Sequence, residues 1–361
     1  MSTTNAAAGG TRHVFLVRSS LQFLLAAAMA EDLRSTARGT SRLLFLPDVQ
    51  DPGLFMNAVE RWTDSPFDRV VLIAARRQAG ALQSGRAAAA VRAELRHALA
   101  DARPLSVTVF NDREEAGQTL LVEAARRFPQ ACRRCAEDGS RAYTGFTQRG
   151  HGWIGRWRQR LRVGRGWAEV RVLGTHPLVQ QFIALHPTLL RPELRDSRVR
   201  PLPGEALSAP AIRHLASALC SATGFDPASI PADAALIAIN HSAYMKRNPD
   251  YAHTLRECVD ALRVAGTPLF VKYHPRESDV DPLNLTGSGI SREVPRTLPV
   301  ECLYLPLRDR PLQVIGGMST SLLTAALLMP LARVRVLQHA SATGDAWDDA
   351  LLRALKIETA A

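Results

Sequence analysis

Residues 312–330 read LQVIGGMSTSLLTAALLMP, and the order of events in them decides the fold. A short apolar run is followed by two glycines, then by Ser319, Thr320 and Ser321, then by an apolar helical run that Pro330 stops. Strand, tight turn and helix in immediate succession form most of a βαβ unit. The same alternation recurs at HVFLV (13–17), RLLFLP (42–47), RVVLIA (69–74), LSVTVF (105–110), ALIAIN (235–240) and PLFVKYH (268–274), each next to a helix-like stretch. Parallel sheets are therefore expected, covered by helices.

A chain of 361 residues is too long for one ordinary core, and a hydrophobic content of 46% supports a globular protein. The stretch 186–210, HPTLLRPELRDSRVRPLPGEALSAP, carries five prolines and interrupts the strand–helix rhythm. The predicted organisation is α/β, with two Rossmann-like domains whose parallel sheets face a central cleft. They occupy 1–190 and 231–361, joined by a linker at 191–230 that contains a helix from about Ala211 to Ala222.

Forty-five basic against 34 acidic residues give a net charge of +11, and nearly all the cations are arginine. Such a balance suits polyanionic partners: acidic glycans, anionic lipid or nucleic acid. The five cysteines contain one Cys-x-x-Cys pair, Cys132 and Cys135, with no second pair at metal spacing, so no metal is expected and the thiols are read as reduced. No uncharged apolar run is long enough to span a bilayer. The opening VRSSLQFLLAAAMAED has the pattern of a signal peptide, but it fits equally a turn after a first strand and a buried helix starting at Leu21.

In parallel sheets ligands gather beyond the carboxyl ends of strands. After PLFVKY come His274 and Pro275; the proline stops the strand and leaves the imidazole at the sheet's rim. That imidazole could meet a phosphate, or simply cap a turn. His176-Pro177 and His186-Pro187 show how common the dipeptide is. Ser319, Thr320 and Ser321 could bind an anion at a helix N-terminus or merely cap it, and Gly316 and Gly317 remove side chains from the approach. Glu137-Asp138-Gly139 places one carboxylate on each side of a turn, one of them a candidate general base. The acidic cluster Asp112, Glu114 and Glu115 reads only as a helix start.

In this order these motifs resemble those of the bacterial polysialyltransferase and lipooligosaccharide sialyltransferase families: an acidic-acidic-Gly motif, then His-Pro, then Ser-Ser/Thr. The opening VFLVRSSLQFLLAAAMAE is also similar to the families' first strand, Ser-x-Leu-Gln turn and helix, with Ser20 where proline is frequent. The resemblance implies a GT-B-like fold, an acceptor domain followed by a CMP-sugar-binding domain, and inverting transfer of sialic acid or a related sugar to a bacterial capsular or lipooligosaccharide glycan. It makes Asp138 the base for the acceptor hydroxyl and His274 the group at the departing phosphate. Ser319 and Thr320, with Gly317, become the phosphate site. Glu301 becomes the ribose contact and Asn240 a further donor contact. Glu137, Ser19 and Gln22 are candidate acceptor or turn contacts. It implies a CMP-sugar donor, an acidic or lipid-linked glycan acceptor and no cofactor or metal; the reduced thiols point to the cytoplasm, where the protein could lie peripherally at the inner face of the inner membrane.

Between the carboxylate motif and the linker, RGHGWIGRWRQRLRVGRGWAEVR (149–171) interleaves Trp153, Trp157 and Trp167 with seven arginines, Arg156, Arg158, Arg160 and Arg162 among them, against the single acid Glu169. This basic surface could grip anionic lipid or an acidic glycan, or be a solvated face over packed tryptophans. No nucleic-acid motif is present, so no nucleic acid is expected. The rival to an enzyme is a non-catalytic polyanion- or nucleic-acid-binding protein that uses this stretch.

Overall fold

A computed structural model of the chain describes residues 13–36, 40–45, 52–73, 81–100, 104–144, 147–196, 198–202, 204–275, 277, 281, 283, 285, 291–337 and 349–360. They fall into two units. The first lies within Met1–Asp48, Asp64–Asp138 and Thr147–Ala206; the second lies within Val49–Thr63, Gly139–Phe146 and Leu207–Ala361.

Up to residue 206 the elements in chain order are β1 (His13–Val17), α1 (Ser20–Ser35), β2 (Ser41–Phe45), α2 (Pro52–Glu60), β3 (Arg69–Leu72), α3 (Ala81–Ala100), β4 (Ser106–Val109), α4 (Glu115–Arg127), β5 (Cys132–Ala136), α5 (Trp153–Val163), β6 (Gln181–Ala184) and β7 (Val199–Pro201). All of these except α2 belong to the first unit. Its sheet runs β3-β2-β1-β4-β5-β6-β7 with every pair parallel. β1 is buried along its whole length, and α1 is buried from Leu21 to Ala30, which is why the segment reads as apolar on every side. Phe23 meets Phe45 edge to face at 5.7 Å, and Phe15 meets Phe67 at 6.0 Å. The signal-like opening thus forms the first strand and a core helix.

From residue 207 onward come α6 (Pro210–Ala222), β8 (Ala235–Ala238), α7 (Ser242–Arg247), α8 (Pro249–Val264), β9 (Leu269–Lys272), β10 (Ser291–Glu293), α9 (Val300–Leu307), β11 (Gln313–Gly316), α10 (Thr320–Leu328), β12 (Arg333–Leu337), α11 (Asp349–Ala354) and β13 (Glu358–Ala360). The sheet runs β10-β9-β8-β11-β12-β13, again all parallel. α2 joins this unit, where the Trp62 indole just beyond it donates to the Ala211 carbonyl at 2.7 Å. Within 191–230, Val199–Pro201 forms a short edge strand, where a proline is tolerated, and α6 starts with Pro210 in its first turn.

Both sheets are Rossmann-like and wound outward from a central pair. In the second unit that pair is β8 and β11, with Ala238 opposite both Lys272 and Gly316. The connections leave this pair in opposite directions, which opens a crevice at the carboxyl ends of the strands. Among the described residues no helix is long and apolar enough to cross a membrane.

The central pair is tight. A Cβ on Gly316 would stand 2.4 Å from the Ala238 carbonyl oxygen, a backbone atom that cannot swing aside. Gly316→Ala is expected to cost about 1–3 kcal/mol in urea unfolding of the full chain; an unchanged midpoint would contradict this packing.

Candidate active site

In the second unit three adjacent strands deliver the residues singled out in the sequence. β9 ends at Lys272 and leads to His274; β8 ends at Ala238 and leads to Asn240 and His241; β11 ends at Gly316 and leads to Gly317 and Ser319. β8 lies between the other two, so His274 and Ser319 share one sheet edge but stand two strands apart, about 10 Å at ordinary strand spacing. Between them in strand order, just after β8, comes His241, which the sequence reading did not pick out. Its ring meets the His274 ring edge to face at 5.4 Å, and its Nδ1 accepts from the Ala243 N–H at 3.0 Å, capping α7. That bond leaves Nε2 as the nitrogen able to donate.

Ser319 occupies the N-cap position of α10 without acting as a cap. Its Oγ is buried, makes no capping bond, and has no hydrogen-bond partner among the described residues. Plain capping therefore does not account for this serine. The first N–H groups of a helix are unpaired within it and carry positive partial charge, and a turn of the buried hydroxyl about its Cα–Cβ bond would add a donor for an anion there. Thr320 is engaged differently: its Oγ1 lies 3.4 Å from both the N–H and the hydroxyl of Ser140, in a 3-10 turn over Gly139–Ala142. Gly139 has φ +66, and a side chain there would strike Thr320 at 2.4 Å.

The bareness of Gly317 has a packing cause as well. A Cβ would lie 2.8 Å from the Tyr251 ring and 2.9 Å from the Asn240 side-chain nitrogen. The fully buried Tyr251 hydroxyl accepts the Gly317 N–H at 3.2 Å and the Asn240 backbone N–H, tying the ends of β8 and β11 together. Burial raises its pKa well above the usual phenol value. Glu277, also buried, accepts from the Ser242 N–H at 2.7 Å and the Ser242 hydroxyl at 3.1 Å, while its own N–H donates to the His274 carbonyl at 2.9 Å. The loops carrying His241 and His274 are thus tied through one carboxylate residue.

Behind this edge lies Lys272, whose Nζ donates to the carbonyls of Tyr273 and Arg296, both at 3.1 Å. Burial pulls its pKa down to about 8, partly offset by the negative charges of Glu301 and Glu293. Glu301 sits buried in the first turn of α9, close enough to act on Lys272.

In the first unit the two carboxylates of the acidic turn divide their roles. Glu137 is buried, and its Oε2 accepts the Leu185 N–H at 2.7 Å, fastening the turn to the end of β6. Asp138 is half-buried, and its Oδ1 accepts from the Gln22 side-chain amide at 2.8 Å. Gln22 is held in turn by the Arg18 N–H, which donates to its Oε1 at 2.8 Å. Ser19 caps α1, its hydroxyl accepting the Gln22 N–H at 3.3 Å. Ser20 is the first residue inside that helix, the position best suited to proline. The Arg18 guanidinium pairs with Glu114, the N-cap of α4. Asp112 is wholly buried and accepts the N–H groups of Gly174 and His176, both at 2.9 Å, with its pKa raised by burial. Its role extends beyond the helix start expected of it. His176 is buried and His186 opens a 3-10 turn. Arg156, Arg158, Arg160 and Arg162 all lie on α5.

No protein-family model and no curated protein matches the chain. Solved structures match at low identity. UDP-GlcNAc 2-epimerase from Neisseria meningitidis, bound to UDP-GlcNAc, is 14% identical with a TM-score of 0.56, over 96% of this chain and 86% of that one. A Photobacterium 2,6-sialyltransferase, in complex with CMP and lactose, is 13% identical with a TM-score of 0.56, over 96% and 78%. The GT-B domain of a Photobacterium damselae sialyltransferase is 12% identical with a TM-score of 0.54, over 97% and 100%. The chain has a GT-B-like fold. At these identities the likeness is one of architecture, shared by transferases and epimerases alike.

Two expectations follow from the buried groups of the second unit. Tyr251→Phe strips an acceptor from two backbone donors and should cost about 1–3 kcal/mol in urea unfolding, with faster hydrogen exchange at the Gly317 amide. Lys272 has a folded pKa of about 8 against 10.5 for the ordinary side chain, so between these values the unfolded chain holds a proton that the folded chain has lost. Its penalty on folding is therefore present below pH 8 and relieved as pH rises towards 10.5. Unfolding free energies of wild type and Lys272→Met should diverge in favour of wild type across that window; a constant difference would show that the lysine is not depressed.

Proposed function

We propose that this protein is an inverting glycosyltransferase that moves sialic acid, or a closely related sugar, from a CMP-activated donor to a glycan hydroxyl. The observation that carries the reading is the sheet edge of the second unit: a Ser319 hydroxyl with no partner among the described residues at the start of α10, with His241 after the adjacent strand β8 and His274 after the next strand, β9. A donor phosphate there would receive the helix N–H groups, the hydroxyl and one or both imidazoles. Thr320 would position the α10 turn through Ser140, Asn240 would flank it, and Glu301 is assigned to the ribose hydroxyls on the motif resemblance.

In this reading Asp138 removes the acceptor proton. Gln22 donates to one carboxylate oxygen and so orients the other. The acceptor oxygen forms a bond to the anomeric carbon as the bond from that carbon to the CMP oxygen breaks. The electron pair leaves with CMP, whose phosphate is stabilised by His274 and the α10 turn, and the proton ends on Asp138. In-line displacement inverts the anomeric centre. The acceptor is proposed to be a bacterial surface glycan, capsular or lipooligosaccharide.

A second reading has its own support. An epimerase acting on UDP-GlcNAc shares the architecture to the same degree as the sialyltransferases. The deciding experiment offers CMP-sialic acid with a bacterial glycan extract, and separately UDP-GlcNAc, to wild type, Asp138→Asn and Ser319→Ala. Acceptor-dependent CMP release is expected, lowered about 100-fold or more in Asp138→Asn with CMP affinity retained, while Ser319→Ala weakens CMP binding. Conversion of UDP-GlcNAc to its 2-epimer without CMP release would replace the transferase by the epimerase. Binding of neither nucleotide would leave the polyanion-binding protein.

A further inference from the structure

α5 is built unlike the other helices. Only Val163 in it is buried, whereas Trp153, Ile154, Trp157 and Leu161 are 81%, 48%, 60% and 65% exposed. Four of the eight strongly exposed large hydrophobic residues among those described thus lie on one helix of eleven residues. At 3.6 residues per turn these four fall within an arc of about 100°. Scattered exposed apolar residues need no explanation, but a contiguous stripe does.

The flanks of the stripe are basic. On one side lie Arg156 and Arg160, on the other Arg158 and Arg162, and Arg165 follows just past the helix end. Arg162 reaches Glu115 at 3.5 Å, Arg156 reaches Glu169 at 3.0 Å, and Arg160 lies 5.9 Å from the centroid of the Trp167 ring. Glu169 also accepts the His151 N–H at 2.6 Å, which holds its pKa below the usual range, with the nearby arginines adding to the effect. These contacts, with buried Val163, fasten the opposite face of α5 to the first unit. The tryptophans are therefore held outward on a seated helix, and the expectation that they pack beneath a solvated face does not hold for Trp153 and Trp157.

We propose that α5 docks this protein on an anionic lipid bilayer, with Trp153, Ile154, Trp157 and Leu161 inserted at the headgroup boundary and the arginines on lipid phosphates. Charge complementarity selects the occupant: residues 149–171 hold seven arginines against one acid, and with Arg156, Arg162 and Arg171 paired to Glu169 and Glu115 the segment still carries a net positive charge that suits a dense field of negative charge. The shape of the stripe separates a membrane from an acidic glycan. Ile154 and Leu161 offer a sugar no stacking plane, and the stripe is convex, whereas an interfacial helix uses aliphatic and indole side chains together. The proposal does not depend on the nucleotide chemistry of the sheet edges.

The test is co-sedimentation of the full-length protein with vesicles of equal parts phosphatidylcholine and phosphatidylglycerol, against phosphatidylcholine alone, with tryptophan quenching by brominated acyl chains. Salt-sensitive binding to the anionic vesicles and quenching are expected. The triple variant Trp153→Ser, Trp157→Ser, Leu161→Ser should lose at least about tenfold in partition with an unchanged melting temperature, since the side chains removed are exposed. Arg158→Gln with Arg165→Gln should weaken partition about fivefold per charge. Wild type remaining in the supernatant, or equal partition by the triple variant, would overturn the proposal. So would tryptophan-dependent binding of a soluble acidic oligosaccharide without vesicle binding.

Discussion

Parallel strand pairing is the constraint on which the rest of this structure depends. A parallel ladder cannot be closed by a tight turn, so every strand must hand the chain to a crossover that returns to the same starting edge. All strand carboxyl ends then collect on one side of each sheet, and residues far apart in sequence arrive there together. His274, His241 and Ser319 come to one sheet edge on this principle, brought by β9, β8 and β11 in adjacent order.

What holds those ends in place is a set of buried acceptors satisfied by backbone donors. Tyr251 takes the N–H groups of Gly317 and Asn240, Glu277 takes Ser242, Glu137 takes Leu185, and Asp112 takes Gly174 and His176. A buried carboxylate or hydroxyl is costly unless bonded in this way, so each such contact fixes a loop to its neighbour. The division between Glu137 and Asp138 shows this most directly: adjacent carboxylates, one spent on the fold and one turned to Gln22.

Much of this was legible in the chain before any coordinates. The seven strand segments read from β-branched and apolar runs all form strands, α1 is the core helix expected after the Ser-Ser turn, and α6 begins within one residue of its expected start. Other strands were not legible: β7 has three residues, and RVRVL in β12 looks like a solvated run until β11 and β13 pair with it on both sides. His241 was missed because nothing within NHSAYM marks it. It meets His274, thirty-three residues away, only across a strand pairing. The sequence marks the glycines at 316 and 317 as a bare approach, and packing against Ala238, Tyr251 and Asn240 adds a cause for their lack of side chains that the sequence does not contain.

The sequence by itself determined the alternation of strands and helices, and with it the parallel sheets and the edge where a crevice opens, because periodicity and turn chemistry are local properties. Only the tertiary structure decided which carboxylate of the pair meets Gln22, that Ser319 stands uncapped while Thr320 is engaged by Ser140, and that Trp153 and Trp157 face outward. Those outcomes depend on which groups from distant segments reach a given atom first, and a one-dimensional pattern does not contain that competition.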